Sequence, residues 1–112
     1  MFTCAVITPS GVMVMRDLPQ PITYAEMVEV VHGYIEAVYL DGAVAYVNEE
    51  GKLQGLDKNQ VATDLAHAHN AIYGDDWIAG NMLIVGECDD DGESTSLTTG
   101  WYNANLKEIA NV

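Results

Sequence analysis

An α+β fold, in which a small mixed and mostly antiparallel sheet built from hairpins is covered by two or three helices, is what this chain of 112 residues predicts. Three observations lead there. Two pairs of apolar, β-branched runs are each joined by a short turn, Pro9-Ser10-Gly11 in the first and Asp41-Gly42 in the second. A helix start is written at Thr23 and Glu26. After Asn59, apolar residues recur at helical spacing. Hairpins interleaved with helices favour an antiparallel or mixed sheet with helices packed on it. The length fits one domain, residues 1–112, and 49% apolar residues suffice for a real core, unlike a disordered acidic tail.

The elements follow in order. Residues 3–8 read as a strand, and Val12-Met13-Val14-Met15 as its hairpin partner, with Gly11 free to take positive φ in the turn. Leu18-Pro19-Gln20-Pro21 ends the ladder, because proline has no amide hydrogen to donate. Thr23 is the N-cap of a helix over about 24–32, with Met27, Val30 and Val31 on one face and Gly33 as its stop. Residues 34–40 read as a strand rich in aromatic and β-branched side chains, returning through Asp41-Gly42 as Ala43 to Val47. Tyr34, Tyr39 and Tyr46 on this hairpin are expected in the core, the alternative being a face that stacks a planar ligand. A polar turn over 48–52 leads to a short irregular or strand-like piece anchored by Leu53 and Leu56. A second helix runs from Asp57 or Asn59 to about Tyr73, with Val61, Leu65, Ala68 and Ile72 on one face. Met82 to Val85 is a compact strand expected to lie centrally. Residues 98–110 form a last helix with Trp101, Leu106 and Ile109 as anchors, weakened by Gly100 and two asparagines.

Seventeen carboxylates face only Arg16, Lys52, Lys58 and Lys107, a net charge of −13. Such a field repels nucleic-acid phosphates and anionic lipid, so neither is expected as a direct partner. It is consistent with solubility or salt adaptation, with an acidic face that docks a basic protein, or with carboxylates that imitate a DNA phosphate track. Met1 leads into a strand without a basic leader segment, and no apolar run is long enough to span a bilayer, so a cytoplasmic setting is expected. Cys4 and Cys88 each sit in apolar segments and are expected to be reduced and buried, the alternative being a disulfide between them if their strands are neighbours.

Catalytic chemistry finds little support. His67 and His69 are two apart on a helix, about 200° around its axis, so they cannot grip one metal together. His32 falls at a helix end. Glu87, Asp89, Asp91 and Gly92 match part of a calcium-loop pattern, but Thr98 stands where a bidentate glutamate is required. The loop reads as a solvated turn, with a weak surface cation site as the alternative. No nucleophile elbow and no glycine-rich phosphate cradle can be written on the chain, and the acidic neighbours of Cys88 disfavour a thiolate. No catalytic residue, metal site or cofactor is therefore expected.

Gly33-Tyr34-Ile35-Glu36, Asp41-Gly42, Asn48-Glu49-Glu50-Gly51-Lys52-Leu53 with Gly55-Leu56 and Asn59-Gln60, then Gly80-Asn81 and Val85-Gly86, resemble the domain of unknown function 3846 family. Ile7-Thr8-Pro9-Ser10-Gly11 also fits, and the resemblance spans about residues 5–98. Asn81 departs from it, since Asp is expected after Gly80. The resemblance implies an accessory protein of phages, their actinobacterial hosts or mobile elements, and it transfers no catalytic residue. The segment from Asn48 to Asn59 is either a functional loop or simply the turn and cap that precede a helix.

The expected function is that of a non-catalytic accessory protein that binds a host protein through an acidic surface, by DNA mimicry or by inhibiting a defence enzyme. The alternative is a protein that sequesters a small molecule or nucleotide signal between protomers of a homo-oligomer, in a pocket lined by Tyr or Trp with Arg16 or Lys52. An enzyme of unassigned class is the remaining alternative. Candidate partner- or ligand-binding residues are Arg16, Asn48, Glu49, Glu50, Lys52, Asn59, Asp89, Asp90 and Asp91.

Overall fold

A computed structural model describes residues 1–110 of the chain. Strands β1 (Phe2–Ile7) and β2 (Met13–Leu18) form the first hairpin. Helix α1 (Tyr24–Val31) leads to the second, made of β3 (Ile35–Leu40) and β4 (Ala43–Asn48). Helix α2 (Gln60–Ala68), strand β5 (Met82–Gly86) and helices α3 (Thr99–Asn105) and α4 (Lys107–Ala110) complete the chain. The strands form one sheet in the order β2-β1-β5-β4-β3. The sheet is wholly antiparallel rather than mixed, because β5 inserts between the two hairpins and runs against both β1 and β4. No helix among the described residues is long and apolar enough to cross a membrane.

The period of two along each strand splits the interior in two. Met82 and Ile84 of β5 point with Ala5, Ile7, Ala45 and Val47 toward Leu65 and Ala66 of α2 and Trp101 of α3. Leu83 and Val85 point the other way, with Phe2, Cys4, Val6 and Val44, toward Met27 of α1. The four β5 side chains are 0% exposed, which is why that run carries no polar alternation. Burying each contributes about 1.5–3 kcal/mol. The strand expected to be central is central.

Helix α1 begins with a complete capping box: Glu26 N–H donates to Thr23 Oγ1 (3.2 Å) and Thr23 N–H donates to Glu26 Oε1 (3.1 Å). Its left-handed terminal residue is His32 (φ 64°), not Gly33. Gly33 is needed for space instead, because a Cβ there would lie 2.7 Å from Asn48 Nδ2. Helix α2 stops at Ala68, short of the expected Tyr73. Asn70 turns left-handed (φ 55°), its N–H donates to His67 O, and Ala71 N–H donates to Ala66 O, the bond pattern of a Schellman stop. Ile72 still packs on the core from the following loop, so the apolar spacing outlasts the helix. The last helix divides into α3 and α4, with Leu106 between them and Asn105 Nδ2 donating to Trp101 O (3.0 Å).

Three further expectations are corrected, and that of a buried Cys4 holds. Leu53 is 86% exposed and anchors nothing, while its segment is a series of turns, the irregular one of the two forms expected. Tyr34 and Tyr39 are exposed rather than in the core, Tyr39 on the edge strand β3 and Tyr34 just before it. Cys4 is buried, and burial pushes its thiol pKa up. Cys88 is exposed, since β5 ends at Gly86 and the chain has already left the sheet. Both thiols are free.

Asn59, 0% exposed, joins the layers. Its Oδ1 caps α2 by accepting from Ala62 N–H (3.0 Å), and its Nδ2 donates to Ile7 O and Gly80 O (2.9 Å each). Its N–H donates to Ile78 O (2.8 Å), and its carbonyl accepts from Thr63 N–H (2.9 Å) and Oγ1 (2.7 Å). A surface N-cap tolerates Asp in place of Asn. Here a carboxylate would face two carbonyl oxygens, so Asn59→Asp and Asn59→Ala are both expected to lower the unfolding free energy by about 3 kcal/mol in urea denaturation. An Asn59→Asp variant as stable as the parent would contradict this assignment.

Candidate functional site

The turn series between β4 and α2 sets up a concavity that gathers several of the sequence-predicted site residues. Asn48, 5% exposed, closes β4. Its Oδ1 accepts from Glu50 N–H (2.8 Å), and its Nδ2 shares two hydrogens among Val31 O, His32 O and Gln54 Oε1 at 3.1–3.2 Å. One side chain thus satisfies terminal carbonyls of α1 and fixes the start of the loop. Asn81 does the same from β5's approach, donating from Nδ2 to Val30 O (2.9 Å). Gly51 then presses on the next segment: a Cβ there would sit 2.8 Å from Ala79 O.

The loop and the segment over 70–79 enclose a groove of about 700 Å³ against β3. Glu36, Glu49, Glu50 and Asp76 line it with Lys52, Tyr73 and Trp77. Lys52 forms an ion pair with Asp76, whose Oδ1 also accepts from Trp77 N–H (2.8 Å). The hydrogen bond from Lys52, then that from the Trp77 amide, holds the Asp76 carboxyl below the usual carboxylate pKa. Lys52 Nζ lies 4.9 Å and Lys58 Nζ 5.9 Å from the Trp77 ring centroid, so the indole already carries its cations. Among the described residues this ion pair is the only one, which leaves Glu36, Glu49 and Glu50 without a cation. The lining contains no serine, threonine, cysteine or histidine, so it offers no side-chain nucleophile beyond a tyrosine hydroxyl and the engaged lysine.

The structure therefore brings together Glu49, Glu50 and Lys52, with Asn48 beneath them as a latch. Asn59 is a structural cap buried away from the groove. Arg16 lies elsewhere, in a separate groove of about 540 Å³ between β2 and α1, facing Glu26 and Glu29 over an apolar floor. Asp89, Asp90 and Asp91 lie on a loop at the other end of the sheet, beyond Gly86, which pairs with Ala43. Asp89 Oδ1 there accepts from Asp91 N–H and Glu93 N–H (2.9 Å each), so the tight turn uses that oxygen itself. Among the described residues no group of three or more His, Cys, Asp or Glu is arranged to hold a metal ion. Glu36, Tyr73, Asp76 and Trp77 were not singled out by the sequence. The adjacent Asp75-Asp76-Trp77 was a local signal, but its meeting with Lys52, 24 residues away, was not.

The carboxylates do not collect on one face. All seventeen are exposed, and they occupy both edge strands, helices α1, α2 and α4, and loops at both ends of the sheet.

Two measurements check this geometry. A native-state thiol reagent should modify Cys88 rapidly and Cys4 only on unfolding. Because the folded pKa of Asp76 is depressed, its stabilising contribution is complete above the ordinary carboxylate pKa and is lost as pH falls through the lowered value. Asp76→Asn should flatten the acid limb of the stability profile below about pH 4, by less than about 1 kcal/mol since both partners are half exposed.

Comparison with known proteins places the chain in one family. No curated protein and no solved structure matches it. A family model described as Domain of unknown function (DUF3846) matches residues 2–107, from the start of β1 to the start of α4 and so beyond the span over which the residue pattern was recognisable. Matching nearly its whole length, the chain belongs to the DUF3846 family.

Proposed function

We propose that this protein is a non-catalytic interaction module that engages a cationic segment of a partner protein in the groove beside β3. The observation that carries the reading is the imbalance in that groove: four carboxylates to one lysine, and the lysine already paired with one of them. Glu36, Glu49 and Glu50 are left to attract a cation, while Leu53 and Tyr73, 86% and 88% exposed, offer apolar contact at the rim. Exposed apolar side chains flanked by uncompensated charge are a common make-up for a docking patch. In the accessory phage or mobile-element setting that the family resemblance implies, the partner is a host protein.

Two related readings are less favoured by the same residues. A DNA-like track calls for carboxylates aligned on one surface, and here they are dispersed over the molecule. The nucleotide-sequestering reading has support in the lining, which holds Tyr39, Tyr73, Trp77 and Lys52 as that reading requires. Its phosphates, however, would meet the surplus carboxylates, and its base would have to displace lysines from Trp77.

A peptide of alternating lysine and valine, titrated by calorimetry, tests the proposal. The combined Glu36→Gln, Glu49→Gln and Glu50→Gln variant is expected to bind about tenfold more weakly, and the parent to lose affinity with added salt. The combined Asp89→Asn, Asp90→Asn and Asp91→Asn variant removes the same charge far from the groove and is expected to change binding by about twofold or less. Equal losses in the two variants, or thermal stabilisation by nucleotides and not by the peptide, would overturn the assignment.

A further inference from the structure

We infer that the partner segment binds as an added β-strand on the free edge of β3, an inference that rests on the cationic-groove reading above. Sheet order leaves β3 with β4 on one side and no strand on the other. The phase of the ladder follows from its register. The two-residue turn closes on Leu40 and Ala43, and Glu49 N–H donates to Tyr34 O (2.9 Å). Tyr34, Glu36, Val38 and Leu40 therefore exchange bonds with β4, and the amides and carbonyls of Ile35, Ala37 and Tyr39 point outward.

The groove reaches that outward row, though Val47 and Asn48 of β4 line it as well. It is lined by four consecutive β3 residues, Glu36 to Tyr39, whose side chains alternate between the two faces of the sheet. The groove at the opposite edge is different: Val14, Arg16 and Leu18 of β2 line it, alternate residues that share one face. Edge strands are commonly protected by lysine, proline or a bulge. β3 has none of these over six residues in unbroken register, and Glu36 is its one charge.

The occupant is fixed by charge and period. On a strand paired with β3, alternate side chains would face the α2 side, where Glu36 stands and Glu49, Glu50 and Asp76 border the groove; these would be lysine or arginine. The intervening side chains would lie beside Ala37 and Tyr39 on the other face and would be apolar or aromatic. A second copy of this chain fits the edge less well, since each brings thirteen net negative charges.

The test compares the lysine–valine heptapeptide with two backbone N-methylated forms, one methylated at every lysine and one at every valine. Amides of alternate residues point to the same side of a strand, so strand addition requires one methylated form to bind at least about tenfold more weakly while the other stays within about twofold. Amide exchange at Ala37 and Tyr39 should slow on binding of the unmethylated peptide. Equal affinity of all three peptides would overturn strand addition and leave the cationic groove standing. No binding of the unmethylated peptide would overturn both. A monomer–dimer equilibrium in sedimentation that the peptide competes away would assign the edge to a second copy and overturn the inference.

Discussion

The side chain of Asn59 is shut away from water among the end of β1, the approach to β5 and the first turn of α2, with each of its polar atoms in use. The two hairpins are local structures that fold back on themselves. β5 must travel between them to make one sheet, and the amide of Asn59, bonded to Ile7 O and Gly80 O, ties the approach of β5 to the end of β1. In a low-dielectric interior such an amide is strongly orienting, because any displacement leaves several groups unsatisfied at once. Register, helix placement and loop path are therefore coupled through one residue.

Asn48 and Asn81 repeat that device for α1. Both spend an amide on its last carbonyls, from the same end of the neighbouring strands β4 and β5. Asn48 also shapes the loop that carries Glu49, Glu50 and Lys52. The groove is a by-product of structural bonding: the loop is pressed against Ala79 by Gly51, and its charged side chains are left facing outward along β3. A chain carrying −13 charges accommodates this cheaply, because the carboxylates are spread and hydrated instead of opposed across a buried interface. In the proposed complex the uncompensated carboxylates of the groove would select a cationic segment, and the free edge of β3 would supply its backbone bonds.

Much of the architecture was readable in advance where the signal was local. The capping box at Thr23, the Asp41-Gly42 turn and the unbroken apolar run over Met82 to Val85 each act over a few residues, and each element appears as expected. The differences lie at element ends, and only at Gly33 does a group distant in sequence cause one. Gly33 has the sequence of a helix stop, but the side chain of Asn48 claims its space and His32 makes the left-handed turn. α2 was extended to Tyr73 because Ile72 keeps the apolar rhythm, although Asn70 had already ended the helix. Cys88 looked buried by its neighbours in sequence and is exposed because the strand stops two residues earlier.

The sequence by itself determined the class of fold, the helix starts, both hairpins, the acidity, and the loop that carries Glu49, Glu50 and Lys52, since these depend on backbone preferences and solvation along a short stretch of chain. Tertiary structure alone decided that Asn48 and Asn59 are bonded within the fold, that Arg16 and the Asp89–Asp91 loop stand apart from that site, and that Glu36, Asp76 and Trp77 join it. Those outcomes turn on which strands become edges and which side chains meet across dozens of residues. Pairing between remote segments is set by global packing, which no local pattern encodes.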